Sequence, residues 1–178
     1  MSKAVLISIR PMWSQKIMTG QKTVEVRKTR PKMNTPFKCY IYCTAGGPDL
    51  NIQISQERLM RDYLETGSMK SLNCPLGNGK VIGEFTCNRV TNLFSNSRFW
   101  LDEDDVLQTC LSAAEMRKYA NGTNGLYGWH ISNLKIYDTP RELREFYAVQ
   151  NEVEVALKAK PKPITRPPQS WRYVEEET

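Results

Sequence analysis

Lys22, Glu25 and Arg27 fall within one short run, Gly20-Gln21-Lys22-Thr23-Val24-Glu25-Val26-Arg27. Two cations and one carboxylate so close together can hold an anion, orient a base or move a proton. Successive side chains of a strand point to opposite faces, so Val24 and Val26 share one face and Thr23, Glu25 and Arg27 share the other. The valines need a core. Glu25 and Arg27 are then expected side by side on the far face, with Lys22 at the strand's entrance. An exposed ion pair contributes only about 0–1 kcal/mol, which makes stability a poor reason for the arrangement. Lys22 reads either as a phosphate anchor or as a base or nucleophile. Burial and Arg27 would lower its proton affinity, and Glu25 would raise it.

Around this run the chain alternates between strand and helix signals. Residues 4–10 alternate, with Val5, Ile7 and Ile9 on one face, and predict a strand. Pro11 suits a first helical position, Trp13 and Ile17 lie one turn apart, and Gly20 ends the helix. The strand of the charged run spans about 22–29, and Pro31 and Pro36 break regular structure over 30–36. Phe37–Thr44 is β-rich. Ser55 reads as the N-cap of a helix over 56–66 with an apolar stripe of Leu59, Met60, Tyr63 and Leu64. Residues 67–79 read as a linker loop, 81–90 as a strand and 91–101 as a polar-aromatic loop. Asp102-Glu103-Asp104-Asp105 would open a short helix. Ser112 and Glu115 have capping-box spacing ahead of a helix to Tyr119, and Thr139 and Glu142 repeat it ahead of a helix to Val149. Between them, 126–137 reads as a strand.

The chain of 178 residues, 40% hydrophobic and 10% aromatic, has the composition of one folded domain. We divide it into a domain over 1–157 and a Pro-rich tail over 158–178, whose Arg166-Pro167-Pro168-Gln169-Ser170-Trp171 is expected to dock back on the domain or join a ligand surface. No apolar run approaches a membrane span and no signal-like segment opens the chain, so a cytoplasmic location is expected. The five cysteines, Cys39, Cys43, Cys74, Cys87 and Cys110, are an odd number without a C-x-x-C pair, and there is one histidine. Core thiols are expected rather than disulfides or a metal site, and no cofactor is called for. His130 reads as a hydrogen-bonded core residue. The net charge of +6 is concentrated: eight cations against Glu25 alone lie between Arg10 and Lys38. Such a patch favours a phosphate-bearing partner.

The run from Gly20 to Arg27 fits G-x-K-x-x-E-x-R, and the chain resembles the ASCH family of the PUA-like superfamily. Ser8-Ile9-Arg10-Pro11, Ile82-Gly83-Glu84-Phe85 and Tyr127-Gly128-Trp129-His130-Ile131 support the likeness in order, over about residues 4–147. The resemblance implies an α+β fold, a mixed β-barrel of five or six strands with short helices over its openings. It implies a nucleic-acid-binding domain that recognises RNA or a modified nucleoside or nucleotide. Arg10, Lys22, Arg27, Lys28 and Tyr42 are the candidate contacts. Tyr42 would sit on the non-cysteine face of its strand. Trp13, Tyr40, Trp100 and Trp129 are further aromatics able to stack on a base.

An enzyme on the same ligands is the alternative. Some members of the family are amidohydrolases of N4-acetylcytidine, with a lysine at the position of Lys22, a threonine on the same strand and a glutamate on a late helix. Here the threonine's place falls on Glu25, and Glu115 is the nearest counterpart of the glutamate. The catalytic candidates are therefore Lys22, Glu25 and Glu115. A ribonuclease would instead need Glu25 and Glu84 near a divalent ion. The tail resembles those of phage-borne members, which implies a bacterial or phage setting.

Overall fold

The computed structural model describes residues 2–53, 56–67, 75–95, 98–99, 103–123 and 125–176. Ser55, Cys74, Trp100 and Asp102 lie outside them. The strands are β1 (Lys3–Ile9), β2 (Val24–Arg27), β3 (Phe37–Cys43), β4 (Val81–Ser95), β5 (Arg98–Phe99), β6 (Gly125–Arg141) and β7 (Trp171–Glu175). The helices are α1 (Pro11–Met18), α2 (Gln56–Thr66), α3 (Glu103–Thr109), α4 (Ala113–Ala120) and α5 (Glu152–Ala156). The fold is α+β, with one mixed sheet in the order β2-β6-β4-β3-β1-β7 and β5 paired to β4. Among the described residues only β1 and β3 run parallel.

Among the described residues the ladder does not close into a barrel, and side chains join its two ends instead. Arg27 at the end of β2 donates to Ser8 O on β1 at 2.6 Å and to Ser170 Oγ at 3.3 Å. Trp171 Nε1 of β7 donates to Thr29 Oγ1 at 2.9 Å, and the Lys32 N–H donates to the Tyr173 hydroxyl at 2.7 Å.

Alternation along the strands sorts the core. Val5, Ile7 and Ile9 of β1 meet Cys39, Ile41 and Cys43 of β3, Phe85 of β4 and Trp129 of β6 inside the curled sheet. The opposite face of β1 and β3 buries Leu6, Tyr40 and Tyr42 against Leu143, Phe146 and Ile164. A third cluster sets Val26, Leu93 and Leu126 against Met116 and Ala120 of α4. Gly128 belongs to this packing, because a Cβ there would lie 2.9 Å from both Thr91 Oγ1 and Val24 Cγ1.

Several expectations change. The strand predicted over 81–90 continues to Ser95, because β6 pairs with it as far as Gly125. The helix predicted over 139–149 is instead the end of β6, with Pro140 inside the strand and a single 3-10 turn at Leu143–Glu145. Pairing of Arg141 with Val81 competes successfully with the capping signal, and Glu145 serves the 3-10 turn by accepting from the Glu142 N–H at 2.7 Å. The α2 helix forms, but Met60, Tyr63 and Leu64 of its apolar stripe are exposed. The segment after 157 contributes β7, antiparallel to β1 from Lys3↔Glu175 to Ile7↔Trp171, and α5 precedes it behind an Asn151–Glu154 capping box.

Candidate functional site

Lys22 is placed by the end of α1. Gly20 takes φ +74°, a left-handed conformation easily reached only without a Cβ, and the Lys22 N–H closes back onto Lys16 O at 3.0 Å. The side chain then runs inward. Its ammonium donates to Val24 O at 2.9 Å and to Thr109 O at 2.7 Å, and lies 3.4 Å from Glu25 Oε2. Thr109 ends α3, where free carbonyls gather and a cation is favoured. The Trp13 ring lies 5.2 Å from the same ammonium.

Glu25 and Arg27 face a core rather than an open surface. In an antiparallel ladder, directly paired residues share a face. Glu25 pairs with Trp129 and Arg27 with Tyr127, which both pack in the interior cluster. Val26, on the other face, packs under α4. The charged face is thus inside the curl and covered, because Val26 found its core beneath a helix. Arg27 Nη2 reaches Glu25 Oε1 at 2.9 Å. Lys22, Glu25 and Arg27 are 2%, 6% and 7% exposed.

Burial lowers the proton affinity of Lys22, and Glu25 opposes the shift. The geometry favours the ammonium, since its three hydrogens have three acceptors. Arg27 Nε is buried with no hydrogen-bond partner among the described residues.

The three charges sit on a cavity of about 600 Å³, with Arg10, Trp13, Tyr42 and Tyr119 on its walls. Three cations against one carboxylate line it. Arg10 N-caps α1 and is exposed, and its guanidinium has no hydrogen bond or ion pair among the described residues. Burial pushes up the pKa of the Tyr42 and Tyr119 hydroxyls, which keeps both as proton donors. The chain after 163 closes one side. Pro167, Pro168 and Gln169 line the cavity, and the Ser8 hydroxyl donates to Pro168 O at 2.6 Å.

The structure thus brings Arg10, Lys22, Glu25, Arg27 and Tyr42 to one cavity. Lys28 lies just beyond, its ammonium 5.3 Å from the Tyr119 ring. Glu115 is not on the lining. It is exposed and accepts from the Ser112 N–H at 2.8 Å and the Ser112 hydroxyl at 2.7 Å, which holds its carboxyl below the usual range. Thr23 precedes β2, so the alternation does not reach it, and its hydroxyl turns to Gln108 Oε1 at 3.1 Å. Glu84 accepts from the Tyr137 hydroxyl at 2.6 Å and pairs with Tyr40, on the opposite face from Glu25. Among the described residues there is no metal-binding group of three or more His, Cys, Asp or Glu.

Of the other aromatics, Tyr40 packs on Phe146 at 4.9 Å, and Trp129 is wholly buried beside Phe37 and Trp171. His130 is buried between Arg89 and Thr91. Arg89 can only donate, so Nδ1 accepts and Nε2 carries the proton toward Thr91 Oγ1. Cys39, Cys43 and Cys87 are buried free thiols with raised pKa values, Cys87 to about 12, and Cys110 is a half-buried free thiol. Sequence reasoning missed Tyr119, Thr109 and Leu111. The acidic cluster opening α3 and the capping box ahead of Tyr119 hinted that this segment was ordered, but not that it reaches the cavity.

No protein-family model matches the sequence, and no curated protein matches it either. The fold does have solved relatives. The crystal structure of ASCH from Zymomonas mobilis superposes with a TM-score of 0.57 at 18% identity, covering 97% of this chain and 88% of that one. A variant of the same protein with a tyrosine changed to phenylalanine gives 0.55 at 18% identity, covering 98% and 92%. Another, with a serine changed to alanine, gives 0.57 at 18% identity, covering 97% and 89%. Among the described residues no helix is long and apolar enough to cross a membrane. The fold of this chain is therefore that of the ASCH structures.

Proposed function

We propose that the cavity binds one unpaired nucleotide of RNA, or a modified nucleoside or nucleotide. The observation that carries this reading is a cavity of nucleotide size, about 600 Å³, with aromatic walls, a surplus of positive charge and a buried ion cluster at its base. Trp13, Tyr42 and Tyr119 offer ring faces for a base. Each Glu25 oxygen has one cation partner and a lone pair left for an exocyclic amine, the contact by which a carboxylate reads cytosine. Arg10 on the lining, whose guanidinium has no partner among the described residues, is available to the phosphate.

The test is calorimetric titration with cytidine 5′-monophosphate. We expect saturable binding that Arg10→Ala weakens about tenfold, equivalent to one charge-assisted hydrogen bond of roughly 1.4 kcal/mol. Absence of saturation at millimolar ligand in the wild type would sink the reading.

One observation favours a second reading, hydrolysis of N4-acetylcytidine to cytidine and acetate. Lys22 has a lowered proton affinity beside a carboxylate and within the cavity. Since its hydrogens are already engaged by acceptors, Lys22 is better suited to donating a proton to the leaving amine than to attacking as a free amine. Mass spectrometry of N4-acetylcytidine after incubation with the wild type and with Lys22→Met decides it. Conversion by the wild type alone supports the enzyme, and no conversion at high protein concentration removes it.

A further inference from the structure

A second hollow of about 710 Å³ lies on the loop between β2 and β3. Lys28, Arg30 and Lys32 line it, together with Val90 and Tyr127, and no carboxylate among the described residues does. None of the three cations has an ion pair or a side-chain hydrogen bond among the described residues. Their contacts are with rings: Lys28 lies 5.3 Å from Tyr119 and Arg30 5.9 Å from Tyr127. Like charges gathered in one hollow raise its positive potential, which favours an anionic partner there.

The loop is also held in place. The Trp171 indole donates to Thr29 Oγ1 and the Lys32 N–H donates to the Tyr173 hydroxyl, so two residues of β7 fix the basic loop at two points. A loop fixed in advance loses less entropy on binding. The two hollows are neighbours, because Tyr119 lines the first while its ring carries the ammonium of Lys28, which lines the second. A mononucleotide in the cavity would leave this second surface unused. A chain of nucleotides would not.

We propose that the hollow of Lys28, Arg30 and Lys32 is a backbone subsite for single-stranded RNA. It would hold the phosphates of the nucleotides next to the one in the cavity, and Tyr127 would provide a ring face for a neighbouring base. This rests on the cavity reading for its register, but it makes a prediction of its own. The strand must be single, since a base inside the cavity cannot stay paired.

The experiment compares the wild type with the double variant Arg30→Gln, Lys32→Gln. Neither residue lines the cavity, and both are exposed, so the fold has little to lose. Fluorescence anisotropy of a short labelled single-stranded RNA of mixed sequence is measured over a salt series, and cytidine 5′-monophosphate is titrated in parallel. Each phosphate contact contributes a salt slope of about 0.7 on single strands, so the double variant is expected to lose about 1.4 of slope. That equals a roughly twentyfold loss of RNA affinity near ~0.1 M salt relative to 1 M. Mononucleotide affinity is expected to stay unchanged. An unaltered RNA slope in the double variant overturns the subsite. If the slope falls while no protein binds the mononucleotide, the subsite stands and the cavity reading alone is lost.

Discussion

At one end of the sheet interior Ile7, Ile41 and Phe85 are buried among apolar neighbours. At the other end Lys22, Glu25 and Arg27 are nearly as buried, but their neighbours are each other, three backbone carbonyls and a cavity. The first end is stabilised by removal of apolar area from water, at about 25 cal/mol per Å². The second must overcome the desolvation of three ions. Charge pairing and hydrogen bonds offset that cost without yielding much net stability. Equal burial therefore has two meanings here. The apolar end holds the sheet together, and the charged end holds a fixed pattern of donors and acceptors at the bottom of a hollow.

The contrast between the two ends breaks most visibly at Glu25. Glu25→Leu leaves two buried cations without their carboxylate, and we expect a loss of about 3–5 kcal/mol in urea unfolding. A loss within the error of the titration would mean that the ions are already solvated and the charged end is not an interior. At the apolar end, Ile7→Ala should cost about 2–5 kcal/mol through lost transfer energy and a residual void. Its mononucleotide affinity should match the wild type under conditions where both are folded. A selective fall in affinity would show that the two ends are not separable.

The smallest effect concerns pH. Burial sets the folded pKa of Lys22 below its ordinary value of 10.5, so the unfolded chain binds more protons between the two values. Stability attributable to Lys22 then rises with pH across that window, and the penalty for burying its charge is greatest below the folded pKa. The difference in unfolding free energy between the wild type and Lys22→Met should therefore move in the wild type's favour as pH climbs toward 10.5. A difference that is flat, or that moves the other way, would place the folded pKa at or above the unfolded one.

Much of the frame is legible in local pattern. The alternation of Val5, Ile7 and Ile9, the proline and glycine bracketing α1, and the Ser112–Glu115 box each specify their element within a few residues. Local signals fail where a distant partner overrides them. Thr139-Pro140-Arg141-Glu142 carries a helix-start signal, yet ladder pairing with β4 keeps it extended through Arg141. The stripe of α2 has helical spacing, but Met60 and Leu64 on it stay exposed, so the spacing did not decide their burial.

The candidate site divides in the same way. Strand geometry and composition are local facts, and they were enough to establish that Lys22, Glu25 and Arg27 are close, that Glu25 and Arg27 share a face and that positive charge gathers around them. Which face is covered was settled by packing, since Val26 could turn away from the interior only once α4 was there to bury it. Packing also set Thr109 O against the Lys22 ammonium, brought Tyr119 to the cavity wall and tied β7 to the basic loop. These contacts join residues far apart in the chain, and no local spacing encodes the packing that brings them together.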